Sequence, residues 1–281
     1  MGKIIAIANQ KGGVGKTTTT VNVSACIAAL EHKVLLVDID PQSNATSALG
    51  FDKDQEHTST YDILIGSSTP DTAIRDSSIS FLKVMPSDIN LVGAEIELVN
   101  VENRESLLKA ALAQIRDNFE YVFIDCPPSL GLLTVNALVA ADSVLVPVQT
   151  EYFALEGLGQ LLNTISRVKR NLNAELELEG VLLTMYDSRL KLSNQVVEEV
   201  RRYFDQRVFK TVIGRNVRLS EAQSFGKPII LYDAASLGAK HYMELARELL
   251  GHLSTKKSAQ SHSNPGPQES APAINREKSS L

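Results

Sequence analysis

Tryptophan is absent from the chain, and cysteine nearly so: Cys26 and Cys126 are the only thiols in 281 residues. Far apart and without a C-x-x-C pair, they indicate neither a disulfide framework nor a zinc site. Both are expected to pack as small apolar residues in a reducing, cytoplasmic setting. No apolar run approaches the ~18 residues of a membrane span. Met1-Gly2-Lys3 leads straight into a strand, so no signal peptide is expected. Positive charge is also short overall, with a net charge of −5, which at first argues against a nucleic-acid partner. Its distribution argues the other way. Residues 187–227 hold nine Lys/Arg against five Asp/Glu, and residues 254–281 hold four against two. A basic segment on an acidic body can engage a polyanion through one face; the same composition also fits a solvated helix face.

What is present is a loop. Residues 11–19 read Lys-Gly-Gly-Val-Gly-Lys-Thr-Thr-Thr, after an apolar run (4–8) and before a helix-like segment (17–30). Strand, glycine-rich turn and helix together form the context a phosphate-binding loop requires. Gly12, Gly13 and Gly15, with Val14 between them, let backbone N–H groups approach phosphate oxygens. The helix N-terminus adds partial positive charge. Lys16 can reach the terminal phosphates of ATP, and the Thr17 hydroxyl can ligand Mg²⁺; Thr18 completes the nucleotide-contacting set. The loop departs from G-x-x-x-x-G-K-[ST] in having Gln10 where the first glycine would stand. It has a second lysine, Lys11, which is not needed in cis. Such a cation suits a reach to the nucleotide of a facing subunit, as an arginine finger does.

Further along, residues 34–37 form an apolar run ending in Asp38-Ile39-Asp40-Pro41-Gln42. In a parallel sheet covered on both faces, ligands gather at the carboxyl ends of strands, where both acids fall. One can position the attacking water and the other can hold a Mg²⁺-bound water. Residues 121–124 are another apolar run, closed by Asp125 and then Cys126-Pro127-Pro128. This is the Walker B pattern, with Asp125 as a magnesium carboxylate and the prolines opening a switch loop. Further strands are expected at 81–85, 143–148, 180–185 and 208–213. Helices are expected at 91–99, 107–119, 131–140, 154–170, 193–204 and 235–253. The alternation predicts an α/β fold, one doubly wound, mostly parallel sheet with helices on both faces. The ordered domain is expected over 1–253. The Ser/Pro/Gln-rich residues 254–281 are expected to be a disordered tail.

KGGVGKTTT, VDIDPQSNAT, FIDCPPSLGLLTVNAL, TEYFALEGL, TMYDSR and RNVRLSEA carry a resemblance to the ParA/MinD family of P-loop ATPases. They are most similar to its short chromosomal ParA members, called Soj. The resemblance runs from residue 3 to about 253. It implies a deviant Walker A loop with Lys11 as signature lysine, crossing an ATP-sandwich homodimer. It also implies Asp40 as the water-activating carboxylate and Asp38 as a magnesium residue. Glu151 is expected to contact ribose or Lys11 across the dimer. Gly214 and Asn216 are expected in a turn near the adenine, although relatives usually carry proline in place of Gly214 and often of Gln223. Arg189 and Arg218 are implied in non-specific double-stranded DNA binding, with an ion pair from Arg218 to Glu221 as the alternative. The implied partner is a ParB-like protein, the implied output is chromosome or plasmid segregation, and the implied location is the nucleoid. No N-terminal helix-turn-helix domain or membrane-binding C-terminal helix is expected. Two other readings stay open: an adaptor that positions other machinery with the same switch, and a metabolic ATP-dependent ligase or kinase.

Overall fold

The computed structural model describes residues 1–52, 57–151 and 154–262. Tyr152 and Phe153 of the TEYFALEGL motif, and residues 263–281 of the expected tail, lie outside the described residues. Seven strands, β1 (Lys3–Ile7), β2 (Val34–Asp38), β3 (Arg75–Asp76), β4 (Leu82–Met85), β5 (Tyr121–Asp125), β6 (Ser143–Gln149) and β7 (Glu177–Thr184), form one sheet. Its order is β3-β4-β2-β5-β1-β6-β7. Every pairing is parallel except β3 with β4. The doubly wound parallel sheet expected from the sequence is therefore the architecture observed. The continuous aliphatic character of the central strands has its reason here. All residues of β2 and β5 are buried, because helices cover both faces.

The connecting helices are α1 (Lys16–Ala29), α2 (Asn44–Ala48), α3 (Thr60–Leu64), α4 (Pro70–Ala73), α5 (Leu91–Glu97) and α6 (Leu107–Ala113). They continue with α7 (Leu132–Ala140), α8 (Ala154–Asn171), α9 (Lys191–Phe204), α10 (Val217–Ser224), α11 (Ile229–Tyr232) and α12 (Leu237–His262). The compact body is Met1–Glu248, with a second unit from Leu249 onward. Helix α1 is built from small residues, KTTTTVNVSACIAA, and most of them are buried. That composition lets it lie close to the sheet, with little bulk on any side. Cys26 on α1 and Cys126 after β5 are both buried. Burial pushes both thiols up, Cys26 to about 12, which suits packing rather than chemistry.

Three expectations change. The helix expected over 235–253 runs on to His262, so residues 254–262 of the expected tail are helical. The strand expected over 208–213 is not formed: this segment makes only isolated bridges, Val208 to Val181 and Gly214 to Tyr186. Phe209 N–H donates to Val181 and Ile213 N–H to Leu183. Between them, the Lys210 and Thr211 amides turn away to the Glu248 carboxylate, at 2.7 and 2.9 Å. Those donors are lost to the ladder, so the segment bulges. The helix expected over 107–119 stops at Ala113, and its last turns tighten into three-residue bonds, Ile115 to Leu112 and Asn118 to Ile115.

Candidate functional site at the carboxyl edge of the sheet

The loop from Asn9 to Gly15 leaves β1 and feeds α1. Gly13 and Gly15 have φ of 74° and 87°, a region that costs other residues roughly 1–2 kcal/mol. A Cβ on Gly15 would stand 3.9 Å from Thr184, so conformation rather than space demands glycine there. Gly15 is also the N-cap of α1, with no side chain satisfying the first-turn amides. Those donors point outward, ready for an anion. Lys16 is buried and its ammonium donates to the Lys11 carbonyl at 3.2 Å. Burial lowers its pKa, opposed chiefly by the Asp125 charge.

Asp125 and Asp38 are neighbours in the β2–β5 register, and both are fully buried. Asp125 accepts from the Thr17 hydroxyl at Oδ2 and the Thr20 hydroxyl at Oδ1, each at 2.8 Å. Thr17 and Thr20, three apart, share one face of α1. Asp38 is differently placed. Its Oδ2 takes the Thr46 amide (2.9 Å) and hydroxyl (2.7 Å), and its Oδ1 takes the Asp40 amide (3.1 Å). Asp38 thus anchors the Asp40 loop, whereas Asp125 stands with the Thr17 hydroxyl. Burial pushes both carboxyls above the usual carboxylate range, and the Asp38 charge adds to the shift of Asp125. A hydroxyl and a desolvated carboxylate side by side are hard oxygen donors that fit Mg²⁺, whose charge would relieve the acid pair. Asp40 is buried. Its Oδ1 accepts the Gln42 amide at 3.0 Å, and its carbonyl accepts the Ser87 hydroxyl.

These groups open on a cleft of about 530 Å³ lined by Gly12, Gly13, Lys16, Asp40, Asn44 and Gln223, among others. A smaller cavity of about 290 Å³ adjoins it through Gly15, Thr18, Met185 and Ser220, and includes Gly214 and Asn216. The two expected adenine residues therefore lie beside the loop. Gly214 N–H faces His241 Nδ1 at 3.4 Å, a contact proline could not make. Asn216 caps α10, its side-chain oxygen accepting the Arg218 amide at 2.9 Å. Lys11 Nζ lies 3.6 Å from Glu151 Oε2 of the same chain, so the contact anticipated across a dimer is made here in cis.

Arg189, in the turn after β7, makes a two-pronged contact with Asp187, at 2.9 and 2.6 Å, and holds that carboxyl down at about 2. Arg218 on α10 pairs with Glu221 at 2.8 Å and approaches Asp233 at 3.8 Å, so the ion-pair alternative is present. The two loops meet, since the Arg215 amide donates to the Tyr186 carbonyl at 3.0 Å. Sequence reasoning missed Thr20, Thr46 and Ser87, and it singled out Gln223 only as a departure from the family pattern. Only Thr20 left a signal, three residues after Thr17 within the threonine run.

A lysine at the head of the loop, beside the one that opens the helix, marks the deviant Walker A ATPases among P-loop proteins, and this chain is one of them. A family model described as an AAA domain matches residues 2–178. The sporulation initiation inhibitor protein Soj of Bacillus subtilis is 59% identical over 249 residues, covering 89% of this chain and 98% of that protein. The chromosome partitioning protein ParA of Myxococcus xanthus is 54% identical over 250 residues, covering 89% of this chain and 88% of that protein. A solved structure of cobyrinic acid a,c-diamide synthase from Mycobacterium smegmatis, with bound ADP and magnesium, is similar at a TM-score of 0.81 and 39% identity. It covers 91% of this chain and 97% of that one. The chain belongs to the ParA/Soj family of chromosome-partitioning ATPases.

Proposed function

We propose that the chain binds ATP and Mg²⁺ as a sandwich homodimer, that this dimer holds double-stranded DNA without regard to sequence, and that hydrolysis releases it. The loop amides of residues 12–18 and Lys16 bind the phosphates. Thr17 and Asp125 hold Mg²⁺, which when bound spreads positive charge over the phosphate oxygens. Asp38 fixes the loop from which Asp40 orients the attacking water, and Gly214 and Asn216 border the base. Lys11 neutralises developing charge from the opposite subunit. A ParB-like protein stimulates the step, and the cycle plays out on the nucleoid during chromosome or plasmid segregation. Residues 1–253 act as the ATPase domain, and the stretch from 254 is a tail.

One observation carries this reading. Lys16 is buried on the loop's own carbonyl, while Lys11 extends to the partly exposed surface at Glu151. A second cation in that position has no phosphate left to serve in its own subunit. The name of the Mycobacterium smegmatis neighbour favours a second reading, an ATP-dependent amide-forming enzyme acting on a small molecule. Such an enzyme would turn over without DNA or a protein partner.

The deciding experiment is binding to a non-specific duplex with ATP, with ADP and with no nucleotide, across a salt series. Salt-sensitive binding found only with ATP supports partitioning. Absence of binding in every nucleotide state would remove DNA from the scheme and favour the metabolic or adaptor reading.

A further inference from the structure

Helices α2 and α10 are two walls of the nucleotide cleft. Asn44, Ser47 and Ala48 line it from one side, and Ser220, Gln223 and Ser224 from the other. The walls meet at their carboxyl ends, where Gly50 and Gly226 stand backbone to backbone. A Cβ on Gly226 would lie 2.9 Å from the Gly50 Cα and 3.3 Å from the Ser47 carbonyl oxygen; one on Gly50 would lie 3.1 Å from the Gly226 carbonyl oxygen. Both glycines have positive φ, 85° and 61°. Non-bonded carbons prefer about 3.5–4.0 Å, so no side chain fits between these two pieces of backbone.

Each side of the contact is tied to a different task. The Ser43 amide, at the head of α2, donates to the Asp40 carbonyl at 2.9 Å, and the Gly50 amide closes the helix on the Ser47 carbonyl at 3.0 Å. Helix α2 is only five residues long, so a shift of the Asp40 loop reaches Gly50 with little room to be absorbed. On the other side, the Gly226 and Lys227 amides close α10 on the Gln223 and Ala222 carbonyls, each at 3.0 Å, the ending a left-handed glycine gives a helix. Helix α11 braces that end. The Ile229 amide donates to Asn22 of α1 at 2.7 Å, and the Tyr232 hydroxyl donates at 3.2 Å to Glu221, the partner of Arg218. Arg218 lies eight residues ahead of Gly226. That is about 12 Å along the helix, so a tilt of about 10° at the glycine carries Arg218 roughly 2 Å, enough to break a hydrogen bond to phosphate.

We propose that Gly50 and Gly226 form a pivot that converts the position of the Asp40 loop into the tilt of α10. They are positioning residues for DNA binding, since neither glycine lines the cleft. The pivot reads the loop that handles the attacking water, so it separates ATP from ADP rather than ADP from empty protein. The inference rests on the partitioning reading and specifies how the nucleotide state reaches Arg218.

The test measures duplex affinity with ATP and with ADP for the full chain and two variants, Gly50→Ala and Gly66→Ala. Gly66 has φ of 76° and no atom within 4 Å of its Cβ position, so its variant carries comparable backbone strain without the contact. In Gly50→Ala the ATP-to-ADP ratio of DNA affinities should fall about five-fold or more, while the ATP-dependent dimer mass stays as in the wild type. In Gly66→Ala the ratio should match the wild type. An unchanged ratio in Gly50→Ala overturns the proposal, as does an equal fall in Gly66→Ala. Loss of the ATP-dependent dimer in Gly50→Ala also overturns it, because the contact would then act on assembly. If Gly50→Ala does not fold, hydrogen exchange in the wild type decides. Amides 46–51 and 222–227 should change protection together when ADP replaces ATP; a change in one stretch alone, or in neither, overturns the pivot. A wild type with the same DNA affinity in both nucleotides overturns the partitioning reading, and this inference with it.

Discussion

Gln223 of α10 donates to the Thr18 hydroxyl of the phosphate loop at 3.1 Å. Helix α10 therefore has two attachments. On one side Ser220, Gln223 and Ser224 line the nucleotide cleft; on the other it carries Arg218. A proline at position 223 would have no side-chain amide to offer. We predict that Gln223→Ala narrows the gap in DNA affinity between ATP-bound and nucleotide-free protein by about five-fold, the scale of one hydrogen bond. Fluorescence anisotropy in both states measures that gap, and an unchanged ratio would show that α10 does not sense the loop through this contact.

Asp125→Asn should separate stability from activity. Because the folded-state pKa of Asp125 is raised, its ionisation works against folding. The wild type holds this contribution below the unfolded carboxyl range and loses it as pH rises through the raised value. The variant should melt a few degrees higher than wild type at pH 7.5 without nucleotide or metal, with the difference shrinking towards pH 4. ATP hydrolysis should fall roughly a hundred-fold or more. A lower melting temperature at pH 7.5 would mean that the two threonine hydroxyls outweigh the desolvation.

Lys11→Ala is expected to leave nucleotide affinity within a few-fold of wild type while removing about a thousand-fold of the stimulated rate, as when a trans cation is lost. Isothermal titration and partner-stimulated turnover read the two effects separately. Stimulation that survives in the variant would end the trans role.

Arg189→Ala and Arg218→Ala should each weaken DNA binding and reduce the slope of log affinity against log salt by about one. Asp187→Asn should act in the opposite sense, since it frees the Arg189 guanidinium from its carboxylate. A few-fold tighter binding in anisotropy is the expected result; weaker binding would show that Asp187 presents Arg189 to phosphate rather than withholding it.

The sheet and the phosphate loop were legible in the sequence because each rests on local patterning. Aliphatic runs such as 121–124 end in an acid, and Gly13 and Gly15 sit where φ must be positive. The contacts that tune the site were not legible, because they join residues far apart in the chain. Thr46 on Asp38, Ser87 on Asp40 and Gln223 on Thr18 leave no periodic trace. Lys11 could be singled out as surplus, yet its cis contact with Glu151 depends on how the loop after β6 is placed. The segment 208–213 misled for a similar reason, since Glu248 on α12 draws two of its amides out of the ladder.

Both margins of the sheet are blunted. On one side β3 is two residues long and antiparallel; on the other, the bulged segment beyond β7 turns its amides to a carboxylate. Among the described residues, neither margin presents a long row of unpaired donors and acceptors to a neighbouring molecule. If the chain gathers in many copies on DNA, as the proposed function requires, it works at a high local concentration, where open strand edges would fuse neighbours into fibres. Closed margins let such copies crowd together and still come apart when the nucleotide turns over.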